Sequence, residues 1–263
     1  METRTSETIL RLNSWAVKLP VLKTCNKEVM ARTRKGVKDI WNAFMLKQAR
    51  YSTNDIPFCP TTASQTPVGI IIWDEAKAVY NQFISMNKSN FFYPEYVGFY
   101  LDDYKFDGPS GIWSCPQKAF DILRHFGGVI TPDFSTYQDF PEPLKLFNTF
   151  RMRAFGYWLG MNGLSVINNV RWGTPESYRY CFDGIPENST VAVSTCEGSP
   201  HNPADRARFA DGLKELTRVL CPKTIIVYGS AKNKYFDELK NEGIKIISFP
   251  HRRANIFNLR NCA

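Results

Sequence analysis

From residue 96 onward the chain alternates between two hydrophobic rhythms. Short apolar runs, "YVGFYL", "GGVITPD", "LSVINNV", "STVAVST", "KTIIVYG" and "IKIISF", are separated by stretches with helical spacing of apolar positions. The helical stretches are "CPQKAFDILRHF", with Pro116 near its start, "PEPLKLFNTFRMRAFGYWLGMNG", stopped by Gly163, "TPESYRYCF", "PADRARFADGLKELTRVL" and "KYFDELKNEG". Continuous β-branched runs are what strands look like when helices cover both faces of the sheet. Alternating with helices, they predict right-handed βαβ crossovers and a mainly parallel sheet. Six strands are expected on this pattern. Upstream, "VGIIIWDEAKAVYNQF" reads either as a seventh strand at residues 68–73 running into a helix capped by Asp74, or as helix alone from Asp74. Units of roughly 30 residues and the lack of a glycine-rich phosphate fingerprint favour an α/β barrel-like fold, complete or incomplete, over an open doubly wound sheet.

Before this rhythm the pattern changes. Val37, Ile40, Trp41, Phe44 and Met45 recur on one face of a helix, and "YSTNDIPFCPTTASQTP" then brings loop chemistry. A basic, mainly helical N-terminal region, 1–58, and an α/β domain, 59–263, are therefore expected. Charge sharpens the division: residues 1–58 hold 11 Lys+Arg against 5 Asp+Glu, out of 33 and 25 in the whole chain. Such a cluster attracts the phosphates of DNA or RNA by Coulomb attraction and counterion release, while its ordinary alternative is a solvated helix face. With 43% hydrophobic and 22% charged residues, the composition is that of a globular protein. No apolar run approaches the roughly 18–20 residues of a membrane span, and the N-terminus shows no signal-peptide pattern. A cytoplasmic location is expected, with no membrane partner; the sequence is silent on oligomeric state.

Several classes of chemistry lack their signatures. There is no P-loop, no G-x-G-x-x-G and no G-x-S-x-G elbow. The seven cysteines are scattered, with no C-x-x-C pair, which argues against structural zinc and for reduced thiols packed as small hydrophobes. His125, His201 and His251 lie in three different contexts and read as structural or exposed. Arg151 and Arg153, on different faces of the long helix, are expected in ordinary salt bridges, the alternative being that one of them reaches the rim or a partner's phosphate, and "CFDGIP", with Asp183 and Gly184, reads as a tight turn.

In parallel α/β folds the loops leaving the carboxyl ends of the strands converge on one rim, where sites form. Here those exits carry Asp102, Asp103 and Tyr104; Thr131 to Ser135, including Asp133; Asn168, Asn169, Arg171 and Trp172; Ser194 and Thr195; Tyr228, Gly229 and Ser230; and Pro250 with His251. Strand ends meeting water would be polar in any case, with Asp and Ser capping helices. Paired aspartates on one exit, an aspartate on the next and an arginine on the third go beyond that. Asp102, Asp103, Asp133 and Arg171 are the candidate catalytic residues. Tyr104, Ser135, Asn168, Asn169, Trp172, Ser194, Tyr228 and Ser230 are the candidate substrate contacts. Two nearby carboxylates serve as acid and base in glycosyl chemistry, or hold a divalent cofactor such as Mg²⁺ for phosphodiester cleavage. Adjacent strand residues point to opposite faces, so Asp102 or Asp103 with Asp133 makes a better pair than Asp102 with Asp103. Arg171 suits a phosphate or carboxylate, and Trp172 and Tyr104 suit a base or sugar ring.

The stretches "FYLDDYKFDG", "ITPDFSTYQDFPEP", "NTFRMRAFGYW", "VINNVRWGTPESY", "YCFDGIPENSTVAVST" and "TIIVYGS" together resemble a family of bacterial and phage proteins known as domain of unknown function 4417. The resemblance spans roughly residues 54–250. It implies a bacterial, phage or mobile-element setting and brings no catalytic role with it. Three functions stay open on the sequence: an enzyme acting on nucleic acid, nucleotide or sugar-phosphate through the rim carboxylates; a non-catalytic nucleic-acid-binding or regulatory protein using the basic region; and a phage protein that sequesters a nucleotide.

Overall fold

The computed structural model describes residues 39–196 and 203–251. Seven strands form one sheet: β1 (Ile70–Ile72), β2 (Tyr93–Gly98), β3 (Phe126–Ile130), β4 (Val166–Asn169), β5 (Thr190–Ser194), β6 (Thr224–Tyr228) and β7 (Lys245–Phe249). They pair in sequential order, every pair parallel. The helices between them are α1 (Trp73–Ser85), α2 (Pro116–Leu123), α3 (Glu142–Met161), the short α4 (Tyr178–Cys181), α5 (Pro203–Leu220) and α6 (Lys234–Asn241). An open doubly wound sheet reverses strand order in the middle. A sequential order with one hand of crossover instead puts the helices on one face and curls the sheet, as in a barrel. The fold is an incomplete α/β barrel.

The curl is visible in one contact. β2 and β6 are four inter-strand steps apart, roughly 19 Å across a flat sheet at about 4.8 Å per step. Yet the ring of Tyr100, just past β2, stacks on that of Tyr228 at 4.7 Å between centroids. Register puts Tyr96, Gly98, Ile130, Ile167, Asn169, Ala192, Ile226 and Tyr228 on the same, concave face. The opposite face carries Val191, Val193, Ile225 and Val227, which pack under Leu213, Leu216 and Leu220 of α5 and Phe236 and Leu239 of α6. The strands are apolar on both faces because both are covered.

The open choice at residues 68–73 resolves to strand then helix. Asp74 falls in the first turn of α1, where its Oδ1 accepts the Glu75 N–H at 2.9 Å, and is not the N-cap. The helix expected through Val37–Met45 is not continued: Asn42 adopts φ 56°, and only a 3-10 turn, Ala43–Leu46, follows. Val37 and the rest of residues 1–38, including most of the basic region, lie outside the described residues. Met45 and Leu46 are buried in the main core, and Phe44 meets Trp158 of α3 edge-on at 5.9 Å. The apolar spacing is used for packing on α3, not for a long helix.

The segment with loop composition also does structural work. The N–H groups of Thr62 and Ala63 donate to the Val166 carbonyl, and Thr61 Oγ1 donates to the Thr190 carbonyl. It wedges between the beginnings of β4 and β5, where β4 pairs with β3 through Val166 and Ile167 and with β5 only through Asn168 and Asn169. Nearby, the Arg153 guanidinium of α3 is fully buried and makes no carboxylate ion pair among the described residues. It donates to the carbonyls of Asn169 (2.9 Å), Cys181 (3.1 Å) and Asp183 (3.1 Å). Of the two expected salt bridges, only that of Arg151 forms among the described residues, to Asp107 at 2.6 Å.

Cys59 and Cys181 are buried beside Arg153. Burial pushes the Cys59 thiol up to about 12, against the opposing pull of Arg153 and Asn168, and it pushes Cys181 up further. The thiolate is the nucleophile, so iodoacetamide near pH 8 is expected to label exposed Cys221 while Cys59 and Cys181 react only after denaturant is added. Peptide mapping by mass spectrometry reads this; native labelling of Cys59 at the rate of Cys221 contradicts it.

Candidate functional site

The site is built on the loop that leaves β3. Thr131 Oγ1 accepts the Asn169 N–H at 2.8 Å, which fixes the start of the loop against β4. Ser135 is held from the β2 side by Asp103, whose two oxygens accept its N–H (3.1 Å) and its hydroxyl (2.9 Å). From the α3 side, Asn148 Nδ2 donates to the Ser135 carbonyl at 2.5 Å and Lys145 Nζ to the Gln138 carbonyl at 3.3 Å. Asn148 is braced in turn by Arg151, whose guanidinium lies 3.9 Å from the Phe134 ring centroid. Loops position chemistry well only when such supports lock them.

On this pinned loop Asp133 is buried, 5% exposed. One oxygen accepts from Asn169 Nδ2 at 2.6 Å and the other is ion-paired to Arg171 NH1. Asn169 Oδ1 accepts from the Tyr100 hydroxyl at 3.1 Å, so a chain of polar groups runs Tyr100, Asn169, Asp133, Arg171 along the mouth of the concave face. Burial pushes the Asp133 carboxyl up; Arg171 and the Asn169 bond oppose this, Asp103 adds to it, and the net is above the ordinary carboxylate range. Burial works against the Arg171 charge, but Asp133, Tyr137 and Asp103 outweigh it and hold its guanidinium above the usual range. Burial also drives the Tyr100 hydroxyl well up, helped by Asp133.

Beside the pair lies a cavity of about 290 Å³, at the lower end of the roughly 300–1,000 Å³ of small-molecule sites. Its walls include Asp133, Thr136, Tyr137, Arg171, Trp172, Ser194, Arg208 and Phe209. Arg171 sits over the Tyr137 ring at 5.3 Å, and Trp172 packs on Phe209 at 5.2 Å. Arg208 is ion-paired to Asp205. Thr136 is buried and its hydroxyl has no hydrogen-bond partner among the described residues.

The sequence candidates therefore separate. Asp133, Arg171, Trp172 and Ser194 line one cavity, and Asn169 and Tyr228 join them through the polar chain and the Tyr100 stack. Asp103 and Ser135 are brought together as a brace beneath it. Asp102 is exposed and paired with Lys105 at 3.3 Å, and Tyr104 is 77% exposed. Asn168 points to the helix-covered face, donating to the Cys59 carbonyl, as strand alternation requires. Ser230 is exposed, its hydroxyl accepting the Lys232 N–H. Among the described residues no group of three or more His, Cys, Asp or Glu side chains gathers as a metal site. Tyr100, Thr136, Tyr137, Arg208 and Phe209 were missed. Tyr100 hides inside an apolar run; Arg208 and Phe209 were findable, because a helix following a strand begins at the rim.

The fold is that of an incomplete α/β barrel with a cavity of about 290 Å³ at the carboxyl ends of its strands. Residues 51–250 match the model of the family described as Domain of unknown function (DUF4417), and the chain belongs to that family. It is similar to the "Gene 1 protein" of Mycobacterium phage D29, 35% identical over 147 residues that make up 56% of this chain and 52% of that protein. It is also similar to the "Gene 1 protein" of Mycobacterium phage L5, 36% identical over 135 residues, 51% of this chain and 57% of that protein. The chain thus spans little more than half the length of these curated relatives. No solved structure matches it. No helix among the described residues is long and apolar enough to cross a membrane.

Proposed function

We propose that the protein is a cytoplasmic enzyme acting on a nucleic acid constituent, a nucleotide or a related sugar-phosphate held in the rim cavity. The observation that carries this reading is the Asp133–Arg171 pair, buried in the wall of a cavity with aromatic sides. Arg171 holds the anionic part of the substrate. Asp133, whose carboxyl is raised above its ordinary value by burial, carries the proton. Asp103 serves as a brace under Ser135 rather than as a catalytic twin of Asp133, since Asp133 lines the cavity and Asp103 is not among its walls. Magnesium, if the reaction uses it, would be held by one carboxylate together with substrate phosphate oxygens, a common mode for that ion.

Thermal unfolding against nucleotides, sugar-phosphates and short single- and double-stranded nucleic acids tests the reading. A true ligand at 100 times its Kd stabilises by about 2.7 kcal/mol, a shift of roughly 5–10 °C for a chain of this size. The shift is expected to vanish in Arg171→Ala, and Asp133→Asn is expected to bind without turning the ligand over. Stabilisation that survives Arg171→Ala removes the cavity from the function.

A second reading has one observation in its favour, the concentration of positive charge in residues 1–58. In it the basic region binds nucleic acid without catalysis. Replacing Arg32, Arg34, Lys35 and Lys38 together by alanine then lowers affinity for duplex DNA. It also flattens the salt dependence, by about 0.9 in the log–log slope for each phosphate that is no longer neutralised. Asp133→Asn would leave that binding unchanged.

A further inference from the structure

We propose that Thr136 and Arg171 form a phosphate subsite in the rim cavity, and that the ligand is a single nucleoside monophosphate unit whose ring lies against the aromatic wall. This rests on the reading of the cavity as the ligand site and adds the group that is recognised.

Two separate observations converge. The first is Thr136, 2% exposed, on the cavity wall and with its hydroxyl unpartnered among the described residues. Buried hydroxyls are nearly always hydrogen-bonded, and an exception beside a cavity points to a ligand as the missing partner. The second is the way Arg171 is used. Its guanidinium has five N–H donors in a planar fork, and Asp133 engages it through NH1. Among the described residues no hydrogen bond is made by its Nε or NH2, although the side chain is only 14% exposed. An arginine anchored at one end by a carboxylate presents its remaining edge in a fixed direction, the arrangement suited to phosphate oxygens.

The backbone brings the two residues together. The Thr136 carbonyl packs against Gly173, two residues beyond Arg171, so closely that a Cβ on Gly173 would lie 2.6 Å from it. The neighbour of Thr136, Tyr137, lies under the Arg171 guanidinium. Both residues line the same cavity, and each has donor capacity that no group among the described residues takes up. Asp133 and Asp205, the acidic groups on the wall, are each paired with an arginine, so neither repels a bound anion as a bare charge. Tyr137, Trp172 and Phe209 offer rings to a planar base, a contact tolerant of base identity. At about 290 Å³ the space takes one unit and not a run of them.

The test is calorimetric titration of the full chain with inorganic phosphate, the four nucleoside 5′-monophosphates and the four parent nucleosides. Wild type, Thr136→Val and Arg171→Ala are compared. Monophosphates are expected to bind at least tenfold tighter than their nucleosides. Thr136→Val, which keeps the shape and deletes the hydroxyl, is expected to weaken monophosphate binding about tenfold with no fall in the unliganded melting temperature. Arg171→Ala is expected to weaken it a hundredfold or more. Wild-type affinity in Thr136→Val alongside loss in Arg171→Ala overturns the subsite and leaves the cavity reading standing. Wild-type affinity in both variants overturns the cavity reading itself. A lower unliganded melting temperature in Thr136→Val assigns the hydroxyl to the fold and overturns the proposal. Nucleosides binding as tightly as monophosphates, or no binding by any phosphate, overturns the phosphate assignment.

Discussion

Replacing Arg153 by methionine is expected to lower the unfolding free energy by about 3 kcal/mol. The Arg153 guanidinium is buried without an ion-pair partner among the described residues, and burial lowers it from its ordinary value to about 10. That fall corresponds to a cost on the order of 3 kcal/mol. Three hydrogen bonds from a charged donor, each worth about 1.5–3 kcal/mol, outweigh it. They tie α3 to the end of β4 and to the turn after α4, through the carbonyls of Asn169, Cys181 and Asp183. Methionine matches the stem and leaves the carbonyls without their donor. Lysine is expected to recover only part of the loss, because a compact ammonium is harder to desolvate and lacks the planar fork. Urea unfolding should show a lower midpoint at unchanged slope. Equal midpoints for wild type and Arg153→Met would show that the buried charge costs as much as its bonds return.

The second large effect is expected at Gly184, where alanine should cost about 2–4 kcal/mol. Gly184 sits at φ +74°, and a Cβ there would lie 2.3 Å from the Pro57 carbonyl oxygen. The close approach is held by the Cys59 N–H, which donates to the Gly184 carbonyl at 2.7 Å. Gly163, which follows α3, is the control: its φ is +87°, but a Cβ there meets nothing within 4 Å. Alanine at Gly163 should cost only the backbone strain, about 1 kcal/mol. The difference between the two variants measures the steric contact alone. Similar losses at both positions would mean that Pro57 moves aside freely.

Much of this architecture was legible in the chain. Each of the six strands read from an apolar run is present, and so is the seventh at Ile70–Ile72. A short buried strand and the start of a buried helix have the same composition, which is why that one stayed open. The rim was legible as well, because in a parallel fold the exits of the strands share one end whatever the strand order. Which exits belong to one site was not. Asp102 and Asp103 look equivalent in sequence, yet one is solvated beside Lys105 and the other is the brace under Ser135. The 3-10 turn Asp103–Lys105 sets that difference. The spacing from Val37 to Met45 misled because an apolar period reports which residues are buried, not the backbone that buries them.

The sequence by itself determined the class, six of the seven strands and the uneven charge, since these follow from local periodicity and composition. The tertiary structure decided that the sheet curls until Tyr100 meets Tyr228, that Arg153 is buried on carbonyls while Arg151 takes Asp107, and that Asp133 pairs with Arg171 in the wall of a cavity that Thr136 also lines. These are contacts between positions far apart in the chain. Their geometry is set by strand register and helix packing, and no local pattern of residues encodes the distance between them.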